Sequence, residues 1–270
     1  MNAAYVVSVS IFIATFIVIL TDKVHRTIVA FAGAAVMLLV GMAMGFYSQE
    51  EAFHSIDFNT LGLLLGMMIL VAMLGRTGAF EYLATLAAKW SGGNPWYLLL
   101  FLGGTTTFLS LFLDNVTTIV LIAPVTVLIA ELLGISPIPL LMAEALLSDT
   151  GGVATLVGDP PNVLIGSAAG FSFNDFLIHL APIVLVVTLG VLFLLRFLFR
   201  KELSEKPQNV EALMMLDEKA TLRDRQALVR IVIVLVGVVI LFFAAEWLHF
   251  TPAFVALLGA TGALVWVRPD

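Results

Sequence analysis

The chain has 270 residues, 61% of them hydrophobic and 12% charged, with a mean hydropathy of +1.08. That composition excludes a water-soluble globule and points to an integral membrane protein whose first partner is the lipid bilayer. The absence of cysteine excludes disulfides and thiolate metal sites, and the net charge of −6 comes without any basic run interleaved with aromatics, so nucleic acid is not expected as a partner.

A membrane-crossing helix needs roughly 20 mainly apolar residues. In chain order, spans are expected at 5–20, 27–46, 58–78, 96–113 with 116–134, 137–149, 163–171, 176–199, 230–247 and 251–267. The first lacks a basic leader and a small-residue cleavage site, and so reads as a retained helix rather than a signal peptide. Residues 79–91 are too polar to cross and read as a short interfacial helix anchored by Tyr82 and Trp90. Residues 200–229 form the one long hydrophilic loop, part helical and outside the lipid.

The 13 Lys and Arg test this layout. From Lys23, Arg26, Arg76 and Lys89 through the run Arg196–Arg230 to Arg268, all fall on one side, whereas loop 47–57 carries acids and no Lys or Arg. Because cytoplasmic loops are enriched in Lys and Arg, the N-terminus is expected outside and 200–229 in the cytoplasm. The scheme requires 96–134 to enter and leave on the same side as a hairpin. Parity alone does not separate a re-entrant hairpin from two full spans. A faint repeat links VAFAGAAVMLL (29–39) with VALLGATGALV (255–265), in opposite expected orientations, as in inverted-repeat secondary transporters.

Two stretches interrupt the helices at mid-membrane depth: LFLDNVTT (111–118) and GGVATLVGDPPN (151–162). Such breaks persist only where they are buried in protein or line a wet cavity. In the second, Gly151 and Gly152 permit unusual backbone, Gly158 precedes Asp159, Pro160 and Pro161 remove donors, and Thr155, Asp159 and Asn162 offer oxygen ligands. The alternative is that the glycines allow tight packing and the prolines only kink a helix. Gly62 with Gly66 and Gly41 with Gly45, both GxxxG pairs, fit that packing role. In the first stretch Asp114, Asn115, Thr117 and Thr118 form a polar cluster. Glu144 and Asp149 lie on the helix leading into the second break, where a proton path and pairing with neighbours are both open. An ionisable residue inside a membrane is by default a functional candidate.

LDNVTTIVLIAPV (113–125) followed by GGVATLVGDPPNVLIG (151–166) resembles the ion transporter superfamily. Within it the chain resembles the branch of arsenite permeases and NhaD-type sodium–proton antiporters, and most of all P-protein-like permeases with a citrate-transporter-like domain. The resemblance implies a multi-helix, all-α fold of two inverted repeats, each with a re-entrant hairpin and a broken helix. Residues 1–26 would be a scaffold helix and loop. Residues 27–199 would be the first repeat, with its hairpin at 96–134 and its broken helix at 137–171. Residues 200–229 would be a linker, and 230–270 a linking helix and the start of the second repeat. With that repeat largely missing, the expectation is a truncated or half-length form, or one completed by a partner chain.

Related dicarboxylate carriers have Ser-Asn-Thr at the hairpin tip and Gly-Thr-Pro-Pro-Asn in the loop. Asp114 stands at their Ser and Asp159 at their loop Thr, while Val116 replaces a Thr and Asn115, Thr118, Gly158, Pro160, Pro161 and Asn162 match. Two carboxylates in place of two hydroxyls disfavour a carboxylate substrate and suit a cation or a proton. The expected function is therefore secondary active transport of a small inorganic or organic ion, coupled to Na+ or H+ and without another cofactor, with Asn115, Thr118 and Asn162 as a candidate Na+ set. The expected location is a prokaryotic plasma membrane, with a second copy of the chain as a candidate partner in a homodimer. The alternatives are an arsenite, anion or carboxylate permease and a channel or non-transporting fragment. An intramembrane aspartyl protease is disfavoured because the first glycine of Gly-x-Gly-Asp is Leu156 and no Tyr-Asp pair occurs, so no enzyme is expected.

Overall fold

Lipid supplies no hydrogen bonds, so each apolar run must satisfy its own backbone. The computed structural model describes residues 3–268, and all of their regular structure is helical. Residues 1–57 and 58–270 form two compact units. The first holds α1 (Ala3–Leu20), α2 (Arg26–Ala43) and α3 (Gln49–His54). α1 has no buried residue, and α2 meets it through Gly33, where a Cβ would collide with Thr15. Ser48 and Glu51 close a capping box at the start of α3. Gly41 and Gly45 do not form the expected packing pair: Gly45 lies past the end of α2 with φ 71° and open space beside it, so it serves the turn.

The second unit contains α4 (Phe58–Arg76), α5 (Ala79–Trp90), α6 (Pro95–Ser110), α7 (Asn115–Leu133), α8 (Ile138–Gly152), α9 (Pro160–Ala169), α10 (Phe173–Leu198), α11 (Val210–Met215), α12 (Arg225–Leu248) and α13 (Pro252–Val267). Across both units, among the described residues, six helices are long and apolar enough to cross a membrane: α1, α2, α4, α7, α10 and α12. Neither α8, with 15 residues, nor α9, with 10, reaches across alone. α6, with 16 residues, is also short of a crossing, whereas α7 has 19.

Small residues set the closest helix contact. A Cβ on Gly66 of α4 would stand 2.6 Å from the Ala256 carbonyl carbon of α13, and one on Gly62 would stand 3.0 Å from the Ala253 Cβ. The Gly62–Gly66 pair is therefore a packing motif, as its spacing suggests. α5 departs from a free interfacial helix. Trp90 is 67% exposed, but Phe80, Ala84, Ala87 and Ala88 are buried in the bundle.

The basic helix ends of this unit gather at one end. An Arg230 guanidinium N–H near the start of α12 donates to the Trp266 carbonyl of α13 at 3.2 Å. Arg196, in the last turn of α10, lies 4.6 Å above the ring of Trp96 at the start of α6. The hydrophilic segment 200–229 docks on that same end. The Gln208 N–H donates to the Leu133 carbonyl at 2.7 Å, and the Arg223 N–H to the Thr77 carbonyl at 2.9 Å. Gly78 takes φ 80° directly beneath the Thr221 carbonyl, a position a Cβ would block. Lys89 Nζ meets Glu218 Oε2 at 2.5 Å, with both side chains about one-fifth exposed.

The Lys89 ammonium holds the Glu218 carboxyl below the usual Glu range. A depressed acid contributes stability above its unfolded pKa and loses it as pH falls through the folded value. Amide exchange over 218–224, corrected for intrinsic rates, will therefore stay slow at neutral pH and accelerate below the ordinary carboxylate range. Lys89→Ala will show the faster exchange already at neutral pH; equal protection in the two proteins would remove the ion pair as the latch.

Candidate functional site

Residues 111–114 turn the chain from α6 into α7, and residues 153–159 separate α8 from α9. The two irregular stretches satisfy each other. The Thr155 hydroxyl donates to the Leu111 carbonyl and accepts the Gly158 N–H at 3.1 Å. The Ser110 and Ser148 hydroxyls are 2.5 Å apart, and Ser148 donates to the Asn115 carbonyl at 3.2 Å. Asn115 Nδ2 donates to Asp149 Oδ1 at 2.7 Å. From the far side of the break, Asn162 Nδ2 faces three carbonyls, those of Thr155 at 2.9 Å, Gly152 at 3.1 Å and Val153 at 3.4 Å.

The prolines fall where they cost least. Pro160 and Pro161 occupy the first turn of α9, whose N–H groups would have no helical acceptor. The glycines act differently from the expectation of unusual backbone. Gly151 and Gly152 are still in α8, and neither they nor Gly158 take positive φ. Their role is close approach. A Cβ on Gly151 would lie 2.6 Å from the Thr107 carbonyl oxygen, and one on Gly158 would lie 2.5 Å from that of Gly152 and collide with that of Ser110.

Two carboxylates stand at helix starts. Asp114 caps α7, its Oδ2 accepting the Thr117 N–H at 2.9 Å and the Thr117 hydroxyl at 2.8 Å. Asp159 occupies the cap position of α9 but caps nothing, with extended backbone at φ −145°. The partial positive charge at a helix N-terminus favours an anion in both places. Asp149 lies beside them, hydrogen-bonded to Asn115 next to Asp114 and three residues before Gly152, whose Cβ position is 3.8 Å from the Asp159 Cβ. Asp114 and Asp159 are half-buried and Asp149 is exposed. A cavity of about 160 Å³ lies beside Asp114, Thr117, Val157 and Pro160, closed on its other side by Met67, Met68 and Val71 of α4.

Among the sequence candidates, Asp114, Asn115, Thr117, Asp149, Thr155, Gly158, Asp159 and Asn162 are thus brought to one place. Thr155 and the Asn162 amide nitrogen are occupied in holding the backbone, and the Thr118 hydroxyl donates to the Asp114 carbonyl at 3.0 Å. No cluster of His, Asp and Glu among the described residues has the form of a metal site. Glu144 sits farther down α8, fully buried, accepting from the Thr126 hydroxyl with Oε1 while Oε2 has no partner. Sequence reading passed over Ser110, Ser148 and Thr126. Ser148 had a signal, as a polar neighbour of Asp149 four residues after Glu144, on the same helix face.

A hairpin tip hydrogen-bonded to a broken helix inside an apolar bundle, with a carboxylate at the start of α7 and of the short α9, is a construction met in membrane transporters. The profile of the family described as citrate transporter matches residues 16–266, and the chain belongs to that family. It is 46% identical over 258 residues to a 46 kDa membrane protein of Mycobacterium leprae, covering 94% of this chain and 59% of that one. It is 44% identical over 263 residues to an uncharacterized transporter of Mycobacterium tuberculosis, covering 96% of this chain and 60% of the relative. Against the human P protein it is 37% identical over 212 residues, 76% of this chain and 25% of that one. The chain thus spans about three-fifths of the length of the mycobacterial relatives. The family is one of integral membrane transporters, not of enzymes, and the P-protein-like resemblance of the two motifs holds.

Gly158→Ala will lower thermal stability in detergent by roughly 1–3 kcal/mol, because backbone oxygens rather than flexible side chains block the new methyl. Gly104→Ala in α6, where nothing lies within 4 Å, serves as the matched control and will unfold at or above the wild-type temperature. Equal melting of the two variants would remove close approach as the reason for Gly158.

Proposed function

We propose that the chain forms the first-repeat portion of a secondary active transporter that carries a small ion, coupled to a cation or proton. The observation that supports this is the placing of Asp114 and Asp159 before α7 and α9, with Asp149 on α8 hydrogen-bonded to Asn115, around the junction of tip and break, and with no ion pair to any of them among the described residues. Three acids repel a di- or tricarboxylate and attract a cation. Asp159, whose carboxylate makes no cap hydrogen bond, is the group freest to exchange a proton or ligate Na+. Asp114 and the carbonyls of the break are its companions in this reading, and Asn115 positions Asp149. Partly open carboxylates at membrane depth need cover, and in this reading the remainder of a longer protein or a partner chain supplies the opposite wall. The basic end of the second unit would face the cytoplasm of a prokaryotic cell, with the N-terminus outside.

The printed family description keeps a second reading in view, carriage of a carboxylate such as citrate. It would require cations at the site, and none of the Lys or Arg of the second unit lies in the tip or the break.

In proteoliposomes containing the full-length gene product, Asp159→Asn will abolish pH-dependent cation flux while the protein remains folded and monodisperse. Unchanged flux with unchanged pH dependence would remove Asp159 from the site. Wild-type uptake of citrate that survives collapse of the Na+ and proton gradients would favour the second reading.

A further inference from the structure

Away from the tip and break, the basic end of the second unit holds a polar cavity of about 460 Å³ lined by Asn94, Trp96, Tyr97, Arg196, Arg200 and Ser204. Arg196, in the last turn of α10, and Arg200, two residues past its end, are both exposed. The Arg196 guanidinium carbon lies 4.6 Å over the centre of the Trp96 ring, a cation–π contact. Among the described residues neither arginine forms an ion pair; the two pairs of this unit are Lys89–Glu218 and Arg223–Glu81. The Asn94 side chain already accepts the N–H groups of Trp96 and Tyr97 at 3.0 and 3.3 Å, so the unmet charge of the cavity is that of the guanidiniums.

The apolar surroundings show what shape of anion fits. α10 is a 26-residue apolar helix, long enough to cross a membrane. Phe193 and Phe197, each three residues before one of the arginines, are 75% and 65% exposed. Trp96 and Tyr97 have the character of an aromatic belt at the membrane–water boundary. A ligand meeting all of this has an anionic head for a planar, bidentate donor pair and an apolar tail for the stripe beside it.

We propose that this cavity binds the phosphate headgroup of an anionic phospholipid, with its acyl chains lying along the Phe193–Phe197 face of α10. Basic pockets between transmembrane helices are suited to such headgroups. A free phosphate would share the head chemistry but leave the apolar stripe unused.

The test is native mass spectrometry of the whole chain in detergent with equal amounts of phosphatidylglycerol and phosphatidylcholine. Wild type will retain phosphatidylglycerol preferentially, and R196Q/R200Q will lose that preference by about thirtyfold, from roughly 1 kcal/mol for each basic side chain at a lipid surface. R196K/R200K will restore part of it, since charge returns without the planar fork. Should the double glutamine variant fail to fold, R200Q alone carries the test, because Arg200 stacks on no ring; it will lose about fivefold. Equal retention of the two lipids by wild type, or undiminished preference in the glutamine variants, overturns the proposal. Displacement of the lipid by an equal concentration of inorganic phosphate overturns it too, making the site one for a free anion.

Discussion

Between α8 and α9 the backbone leaves the helix through residues 153–158, buried except at Val153, and everything at this site follows from how the lost hydrogen bonds are made good. Each unsatisfied amide or carbonyl in hydrocarbon costs several kcal/mol. Asn162 answers for the carbonyls of Gly152, Val153 and Thr155, and Thr155 answers for the Gly158 N–H and, across the gap, for the Leu111 carbonyl. The break is therefore stable only in the presence of the hairpin tip, and the tip only in the presence of the break. Glycines at 151 and 158 let the two backbones come close enough for this exchange to occur without intervening side chains.

Once the backbone is satisfied by amides and hydroxyls, the carboxylates are released from structural duty to different degrees. Asp114 is half committed, one oxygen holding the first turn of α7. Asp149 is tied to Asn115. Asp159 holds nothing, although its position before α9 is where a capping side chain belongs. A residue with the chemistry of a cap and the freedom of a ligand is what a site that loads and unloads an ion needs. Thr118, Ser148 and Thr155 are fully buried while Asp159 is more open, so a change at Asp159 need not disturb the links beneath it.

Much of this was legible in the sequence because lipid imposes so few backbone solutions. Apolar length placed most of the helices to within a few residues, whereas Pro160 and Pro161, expected inside the break with the next helix beginning at 163, form the first turn of α9. Lys and Arg positions anticipated which helix ends meet, as the Arg230–Trp266 bond bears out for α12 and α13. What escaped notice depends on distance across the fold. Glycine at 151 or 158 has the same letter whether it bends the backbone or admits a neighbour, and only the Thr107 and Ser110 carbonyls decide between the two. Likewise, an oxygen-rich stretch reads as a ligand set until each oxygen is seen to have a partner, as Thr155 does. The segment 200–229 read as a linker because its charges look solvated one by one; its docking beside α4 and α7 rests on main-chain donors that no side-chain pattern announces, and on α5 on ion pairs between residues far apart in sequence.

The interlocking of tip and break also bears on motion. Links run from α6 to α8 through Ser110 and Ser148, from α7 to α8 through Asn115 and Asp149, and from the tip to the loop through Thr155. To slide the hairpin past the broken helix would rupture these together, in a medium that offers no substitute partners. The tip and the break are consequently joined at three separate points, and no one of these bonds can be broken without straining the other two. Gly134 and Gly170, both at positive φ, mark where α7 and α9 end beyond this interlock.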